Sequence, residues 1–481
     1  MANLGYLNVK DFGAKGDGVA DDTAAIQAAF TAAAAPDMEG TTVFIPAGIY
    51  MVSNFLNTSA ALQFTASGCK LTGGGTLKHI ADPDVKSGII LRIFGNRNFI
   101  DWIRIDGNVS GGALSTTDGY TVVGMHNHSQ GVFVTNIGGS SIVHFGKGNR
   151  MDSCSVEGSY ECLKDGGDYN IARYCSGVNY TEKGYNNTDD PIWTTTIGCY
   201  FASPQSATAG SAYQIDPQNP PRLGRAIFRD CSGAGNETTP AATNVAKFAV
   251  VDDVYLTGCL FTHATAQITT LRFANNVGRA RVDNCFLSRT LVVEETVSIR
   301  PDQIRIYRTL IGDGVHRPQS SLNDIECSLM RLLDSTFVGS TQSGIRWELP
   351  ESEYILIAAL NCSFDGHATG TVTDIRAATA EGGEINSSRR VLWLANRRTN
   401  TGGGNATFID VGTPTQREIL GSTMDASMKL LDWSTDPSTT AAIWTRGDTV
   451  ANSAPSSGGY FGWVCTDTGP PDVWKQFALI S

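Results

Sequence analysis

The sequence predicts an all-β solenoid closed at its N-terminal end by a short helix. Cysteines recur in one local context, apolar–polar–small–Cys–apolar, at Cys154, Cys175, Cys199, Cys231, Cys259, Cys285 and Cys362. The first five steps, from 154 to 175 through 259 to 285, are 21, 24, 32, 28 and 26 residues. Self-similarity at roughly 20–30 residues marks stacked repeats. Short strands alternate with small turns between the cysteines, and no helical pattern recurs at this interval. A third observation is the run from Val9 to Tyr50, which reads loop, helix, strand and fits a cap.

In chain order, Asp11-Phe12-Gly13-Ala14-Lys15-Gly16-Asp17-Gly18 is a glycine-punctuated loop. It lacks the GK[ST] ending of a phosphate cradle. Asp21 and Asp22 offer a helix N-cap and negative charge at the positive end of the helix dipole. Ile26, Ala29, Phe30 and Ala33 follow at i, i+3, i+4 and i+7, one apolar stripe. Thr41 to Ile45 is a β-branched and aromatic strand, stopped by Pro46 and turned at Gly48.

This stretch resembles the N-terminal signature of the pectate-lyase-like superfamily. The resemblance implies a right-handed, single-stranded parallel β-helix, all-β, with an N-terminal capping helix. It says less about activity, because one fold hosts many chemistries. The expected organisation is a cap over residues 1–55, coils over 56–376, and a small β-rich domain over 377–481. That last segment holds Trp433, Trp444, Trp463 and Trp474, half of the eight tryptophans. It is similar to the C-terminal segment of some phage tailspikes, which implies trimer contacts or sugar binding; the plainer reading is that these rings are its core.

Composition narrows the partners. The 481 residues carry a net charge of −11 and a pI near 5.1, which argues against nucleic acid but leaves room for an anionic sugar in a local basic cleft. No window approaches about 18 apolar residues, so no membrane span is expected. Met1 to Tyr6 has neither a basic nor an apolar signal region, which predicts synthesis in the cytoplasm without a signal peptide. Eleven cysteines, an odd count, argue against a disulfide framework. With no CxxC, and with equivalent positions forming a ladder, no metal or cofactor is expected. His126 and His128 are spaced as a metal pair but lack a third ligand nearby.

Neighbouring coils place side chains about 4.8 Å apart. Carboxylates one or two coils apart therefore reach roughly the separations that glycosidases use. Aligning coils on their cysteines stacks Ser140–Phe145, Ser159–Asp165, Asn179–Lys183 and Ala212–Asp216. These rungs concentrate His144, Tyr160, Glu161, Lys164, Asp165, Glu182, Lys183, Tyr213 and Asp216. Each also has a plainer reading: a solvated surface group, a turn-forming Asp165 beside Gly166-Gly167, or a surface Glu182–Lys183 ion pair.

Tyr160-Glu161-Cys162-Leu163-Lys164 resembles the DDCIAIK strand of polygalacturonase-like β-helix hydrolases, a match that puts Glu161 at the general-acid position. Tyr160 replaces one acid, and that family's downstream His and Arg motifs are not placed on this sequence. The resemblances together imply a phage tailspike or depolymerase on the virion tail or outside the cell, a homotrimer that hydrolyses a bacterial surface polysaccharide. The expected catalytic residues are Glu161 with Glu182 or Asp165. Sugar-binding groups would be His144, Lys164, Lys183, Tyr213, Asp216 and Arg222. The alternatives are a polysaccharide lyase, with Lys164, Lys183, Tyr180 or His144 as base, and a non-catalytic glycan-binding adhesin.

Overall fold

Short strands that alternate inward and outward side chains pair in parallel from one coil to the next. In the computed structural model the chain divides into two compact units, Met1–Pro301 and Asp302–Ser481. The structure describes residues 5–53, 60–80, 87–109, 116–187, 193–202, 211–216, 223–235, 244–263, 269–274, 277–289 and 291–293 of the first unit. In the second it describes 303–312, 315–317, 328–338, 345–349, 355–360, 362–365, 373–377, 389–394, 397–399, 409–410, 416–420, 423–424, 449–451, 460–467 and 473–479.

The first unit is a parallel β-helix with three faces. One face stacks Lys70–Thr72, Phe99–Asp101, His128–Gln130, Arg150–Asp152, Asn170–Arg173 and Trp193–Ile197. The second follows the cysteines: Ser155–Glu157, Ser176–Val178, Tyr200–Ala202, Ser232–Ala234 and Leu260–Thr262. The third carries the candidate site and stacks Ser87–Ile93, Thr116–Val122, the C-terminal half of Phe133–His144, that of Ser155–Asp165, Lys183–Asn187, Ser211–Ile215 and Asn244–Ala249.

Two corners explain the repeats. Before six of the ladder cysteines sits a left-handed residue: Ser153, Tyr174, Gly198, Asp230, Gly258 or Asn284, with φ between 52° and 66°. It turns the chain and drops Cys154, Cys175, Cys199, Cys231, Cys259 and Cys285 inward, where all are buried. At the other corner runs an asparagine ladder that the cysteine alignment does not find. The side-chain carbonyls of Asn98, Asn127, Asn149 and Asn170 accept from the backbone N–H of Cys69, Asn98, Asn127 and Asn149 at 2.7–2.9 Å. Their amide groups donate to Ala66 O, Gly95 O, Gly124 O and the Asp165 carboxylate. Three residues before each asparagine is a glycine. A Cβ on Gly146 would lie 2.0 Å from Gly124 O, so only glycine allows the coils to close there.

The cap forms as the sequence predicts, with a difference at its first turn. The helix Thr23–Ala33 buries Ile26, Ala29, Phe30 and Ala33, and Phe30 packs edge-on against Phe64 at 5.1 Å. Asp22 stands at the N-cap but makes no capping bond; its carboxylate accepts from Lys15 N (2.6 Å) and Gly16 N (3.0 Å) and so fixes the glycine loop. Asp21 accepts from Thr23 N instead. Gln27 both donates to Gln63 O and accepts from Gln63 N, each at 2.9 Å, standing in for a neighbouring strand at an open edge. The cap also contains rungs: Thr42–Phe44 pairs with Lys70–Thr72, and Ile49–Val52 with Thr76–His79, so coiling begins before residue 56.

In the second unit parallel pairing runs past residue 376. Ile355–Leu360 pairs with Arg389–Leu394, which pairs with Gln416–Leu420. Cysteines drop out of the repeat there while the strand pattern persists, which is why a cysteine-based boundary falls short. Thr449–Ala451, Tyr460–Asp467 and Val473–Leu479 form an antiparallel sheet carrying Trp463 and Trp474. Trp433 and Trp444 lie outside the described residues.

Candidate active site

The third face brings four polar residues into one row. Glu161 pairs with Ser140 on one side and Lys183 on the other, and Tyr120–Ile142 pairing sets Asp118 beside Ser140. The order along the stack is therefore Asp118, Ser140, Glu161, Lys183. Ser140 ties the two acids: its N–H donates to Asp118 Oδ1 at 2.9 Å and its Oγ to Glu161 Oε2 at 2.8 Å. The N and Oγ of one serine lie about 3 Å apart, so these two carboxylate oxygens are at most about 9 Å apart. That upper limit is compatible with the spacing of paired glycosidase carboxyls, about 5–5.5 Å in retaining and 6.5–9.5 Å in inverting enzymes.

The two acids have different surroundings. Burial raises the Asp118 carboxyl above the usual carboxylate range and the nearby Glu161 adds to it, while the Ser140 N–H and Lys164 oppose. Glu161 is buried among polar partners. Besides Ser140, Asn186 Nδ2 donates to its Oε1 at 2.7 Å, and Lys183 Nζ stands 3.4 Å from the same oxygen. Lys183 also stands 3.4 Å from Glu182 Oε1, so Glu161 and Glu182 are bridged by one ammonium. The Tyr160 phenol is pushed up to about 12, first by its hydrogen bond to Glu182 and then by burial.

Of the residues expected from sequence, the structure gathers Glu161, Glu182, Lys183 and Lys164 around this row. Asp216 sits two coils beyond Glu161's rung, and its Oδ2 lies 2.6 Å from Lys247 Nζ. Arg222 lies outside the described residues.

Three expectations are corrected. His144 is fully buried and inward-facing; desolvation depresses its pKa to about 3, so it neither meets a surface substrate nor serves as a surface base. Tyr213 is also buried, with its hydroxyl 2.8 Å from Cys199 O and 2.9 Å from Ser232 O. Asp165 points into the core. Its Oδ1 accepts from Gly167 N and Asn170 Nδ2, and its Oδ2 from the Tyr185 and Thr194 hydroxyls. Burial raises it to about 6 against those donors. Strand alternation decides all three. Tyr180, named as a candidate lyase base, is buried too.

Asp118 and Asn186 escaped the sequence reading. Glycines 124, 146 and 167 of the G-x-x-N repeats stand six residues after Asp118, Ser140 and Glu161, so aligning on that repeat stacks the row directly. Among the described residues no group of three or more His, Cys, Asp or Glu is placed to hold a metal ion. His128 is bonded to Asp152 at 2.7 Å and packs edge-on against Phe99.

The fold and row together define a class: a parallel β-helix with paired carboxyls stacked on one flank. Comparison with known proteins bears on the β-helix part of this description. Residues 6–137 match the sequence profile described as rhamnogalacturonase A/epimerase, pectate lyase-like. The chain is 43% identical over 110 residues to mannuronan C5-epimerase AlgE2 of Azotobacter vinelandii, across 21% of this chain and 11% of that protein. It is 33% identical over 136 residues to the capsule K30/K69-specific depolymerase 1 of Klebsiella phage K5-2, across 28% of this chain and 16% of that one. The chain thus spans only a small part of these relatives' length. Among solved structures, the tailspike protein of E. coli bacteriophage HK620 in complex with a pentasaccharide superposes with a TM-score of 0.52 at 10% identity, covering 86% of this chain and 78% of that one. That likeness concerns the fold. The profile match ends at residue 137, before Ser140 and Glu161. Among the described residues no helix is long and apolar enough to cross a membrane.

Proposed function

We propose that this chain cleaves a bacterial surface polysaccharide, a capsule, exopolysaccharide or O-antigen, by glycoside hydrolysis on the flank of its β-helix. The observation that carries this reading is the Asp118–Ser140–Glu161 row. Asp118, the acid with the raised pKa, donates a proton to the glycosidic oxygen as that bond breaks. Glu161, held by Ser140, Asn186 and Lys183, takes the proton of an attacking water or attacks the anomeric carbon itself. The raised carboxyl of Asp118 thus puts the general acid there and not on Glu161, the residue that its strand's resemblance implied. Glu182 and Tyr160 flank Glu161, and Lys164 and Lys183 orient the sugar. The phage depolymerase relative and the tailspike fold support a place on a virion tail, and a homotrimer fits the same reading.

A second reading is a polysaccharide lyase acting on a uronic acid, favoured by 41% identity over 109 residues to alginate lyase 7 of Azotobacter vinelandii, across 12% of that protein. With His144 and Tyr180 buried, Lys164 or Lys183 would be its base. Incubation with a panel of bacterial capsules separates the readings. Hydrolysis gives new reducing ends and no near-ultraviolet absorbance, whereas elimination gives the 4,5-unsaturated uronate that absorbs there. Tight binding to one capsule without shortening any would leave the adhesin.

A further inference from the structure

Four residues along the strands from the candidate row, three polar side chains enter the core on successive coils. The inward position five residues before each G-x-x-N asparagine reads Ile93, Val122, His144 and Asp165 on successive coils, by register. Lys164 pairs with Asn186, so the next coil contributes Asn187, and Ile215 follows it. His144, Asp165 and Asn187 therefore stack on three consecutive rungs, closed below by Val122 and above by Ile215, and all three are fully buried or nearly so.

Only the middle member is satisfied. Both Asp165 oxygens have donors, as described above. Both ring nitrogens of His144, and both the Oδ1 and Nδ2 atoms of Asn187, have no hydrogen-bond partner among the described residues. A buried polar atom left unpaired is costly, and four such atoms within three coils are far from what native interiors tolerate. Buried water, bonded to two to four polar groups, is the usual remedy where a site is polar.

We propose that His144 and Asn187 line an internal water site, a closed polar slot in the β-helix core whose ligand is ordered water. A neutral imidazole supplies one donor and one acceptor, and the Asn187 amide supplies both kinds as well. Asn187 follows Asn186, the residue that holds Glu161, so the water anchors the strand that carries Asn186 and Lys183. The inference concerns the core and stands whether or not the flank hydrolyses sugar.

The test is a crystal structure of the whole chain at a resolution that shows ordered solvent, joined to thermal unfolding of His144→Leu and His144→Asn. Expected is density about 2.7–3.2 Å from a His144 ring nitrogen and from the Asn187 amide. His144→Leu should lower the melting temperature by several degrees, because it strands the water and Asn187, and His144→Asn, which keeps a donor and an acceptor, should lower it less. No density there, with His144→Leu melting at or above the wild type, would mean a dry slot and overturn the proposal. Contacts near 2.0–2.6 Å would overturn it in favour of a bound cation.

Discussion

Replacing Asp165 separates a core role from a catalytic one, because its two oxygens face different kinds of donor. Oδ1 accepts from Gly167 N (3.2 Å) and Asn170 Nδ2 (2.8 Å), which can only donate. Oδ2 accepts from the hydroxyls of Tyr185 (2.9 Å) and Thr194 (3.1 Å), which can reverse and accept. Asp165→Asn can keep its oxygen on the first pair and turn its amide toward the second. It should fold, lie within about 1 kcal/mol of the wild type at neutral pH, and retain any depolymerase activity. Asp165→Ala strands Gly167 N and Asn170 Nδ2 and should lose about 2–6 kcal/mol, at about 1–3 kcal/mol for each orphaned donor.

The two variants also differ from the wild type with pH. A carboxyl at about 6 when folded, against 3.8 as its ordinary value, holds its proton longer in the folded state. Wild-type stability therefore falls as pH rises from about 4 to about 6, by up to roughly 3 kcal/mol from this group, and is flat with respect to it above. Asp165→Asn should lack that slope. Thermal unfolding followed by circular dichroism from pH 4 to 8 reads both effects. A folded Asp165→Asn protein that is inactive, or an Asp165→Ala protein as stable as the wild type, would refute this assignment.

Three further outcomes are expected. Asn149→Ala removes the acceptor for Asn127 N and the donor to Gly124 O and should cost about 2–6 kcal/mol, whereas Arg97→Ala, at an exposed 3.7 Å ion pair with Glu39, should change unfolding by no more than about 1 kcal/mol. Cys69, Cys154, Cys162, Cys175, Cys199, Cys231, Cys259, Cys285 and Cys362 are free and buried, so a thiol reagent should react with them slowly in the native protein and rapidly in denaturant. Gln27→Leu should loosen the cap first, seen as faster hydrogen exchange at Gln63 than in the coils beyond it.

Much of this fold could be read from the sequence because stacking is periodic. Cys154 to Cys285 mark one corner of successive coils, and a helix with an apolar face belongs over an open end. Orientation was harder to read. Glu161 and Asp165 lie four residues apart on one strand, yet two consecutive buried residues, Cys162 and Leu163, break the alternation between them, so one acid lines the flank and the other enters the core. Tyr213 and His144 look like sugar-binding residues by type, but alternation turns both inward. Asp118 stayed hidden because its coil precedes the first ladder cysteine of the alignment, although the G-x-x-N spacing reaches it. Asp22 failed as a helix cap because two loop N–H groups compete for its carboxylate.

The active-site row is tested most directly by product analysis on a capsule that the wild type degrades, repeated with Glu161→Gln and Asp118→Asn. The wild type should release reducing ends without near-ultraviolet absorbance. Each variant should fold and lose about 100- to 10,000-fold in rate, the range of general acid–base catalysis. Wild-type rates from both variants, or an ultraviolet-absorbing product, would contradict a hydrolase built on Asp118 and Glu161.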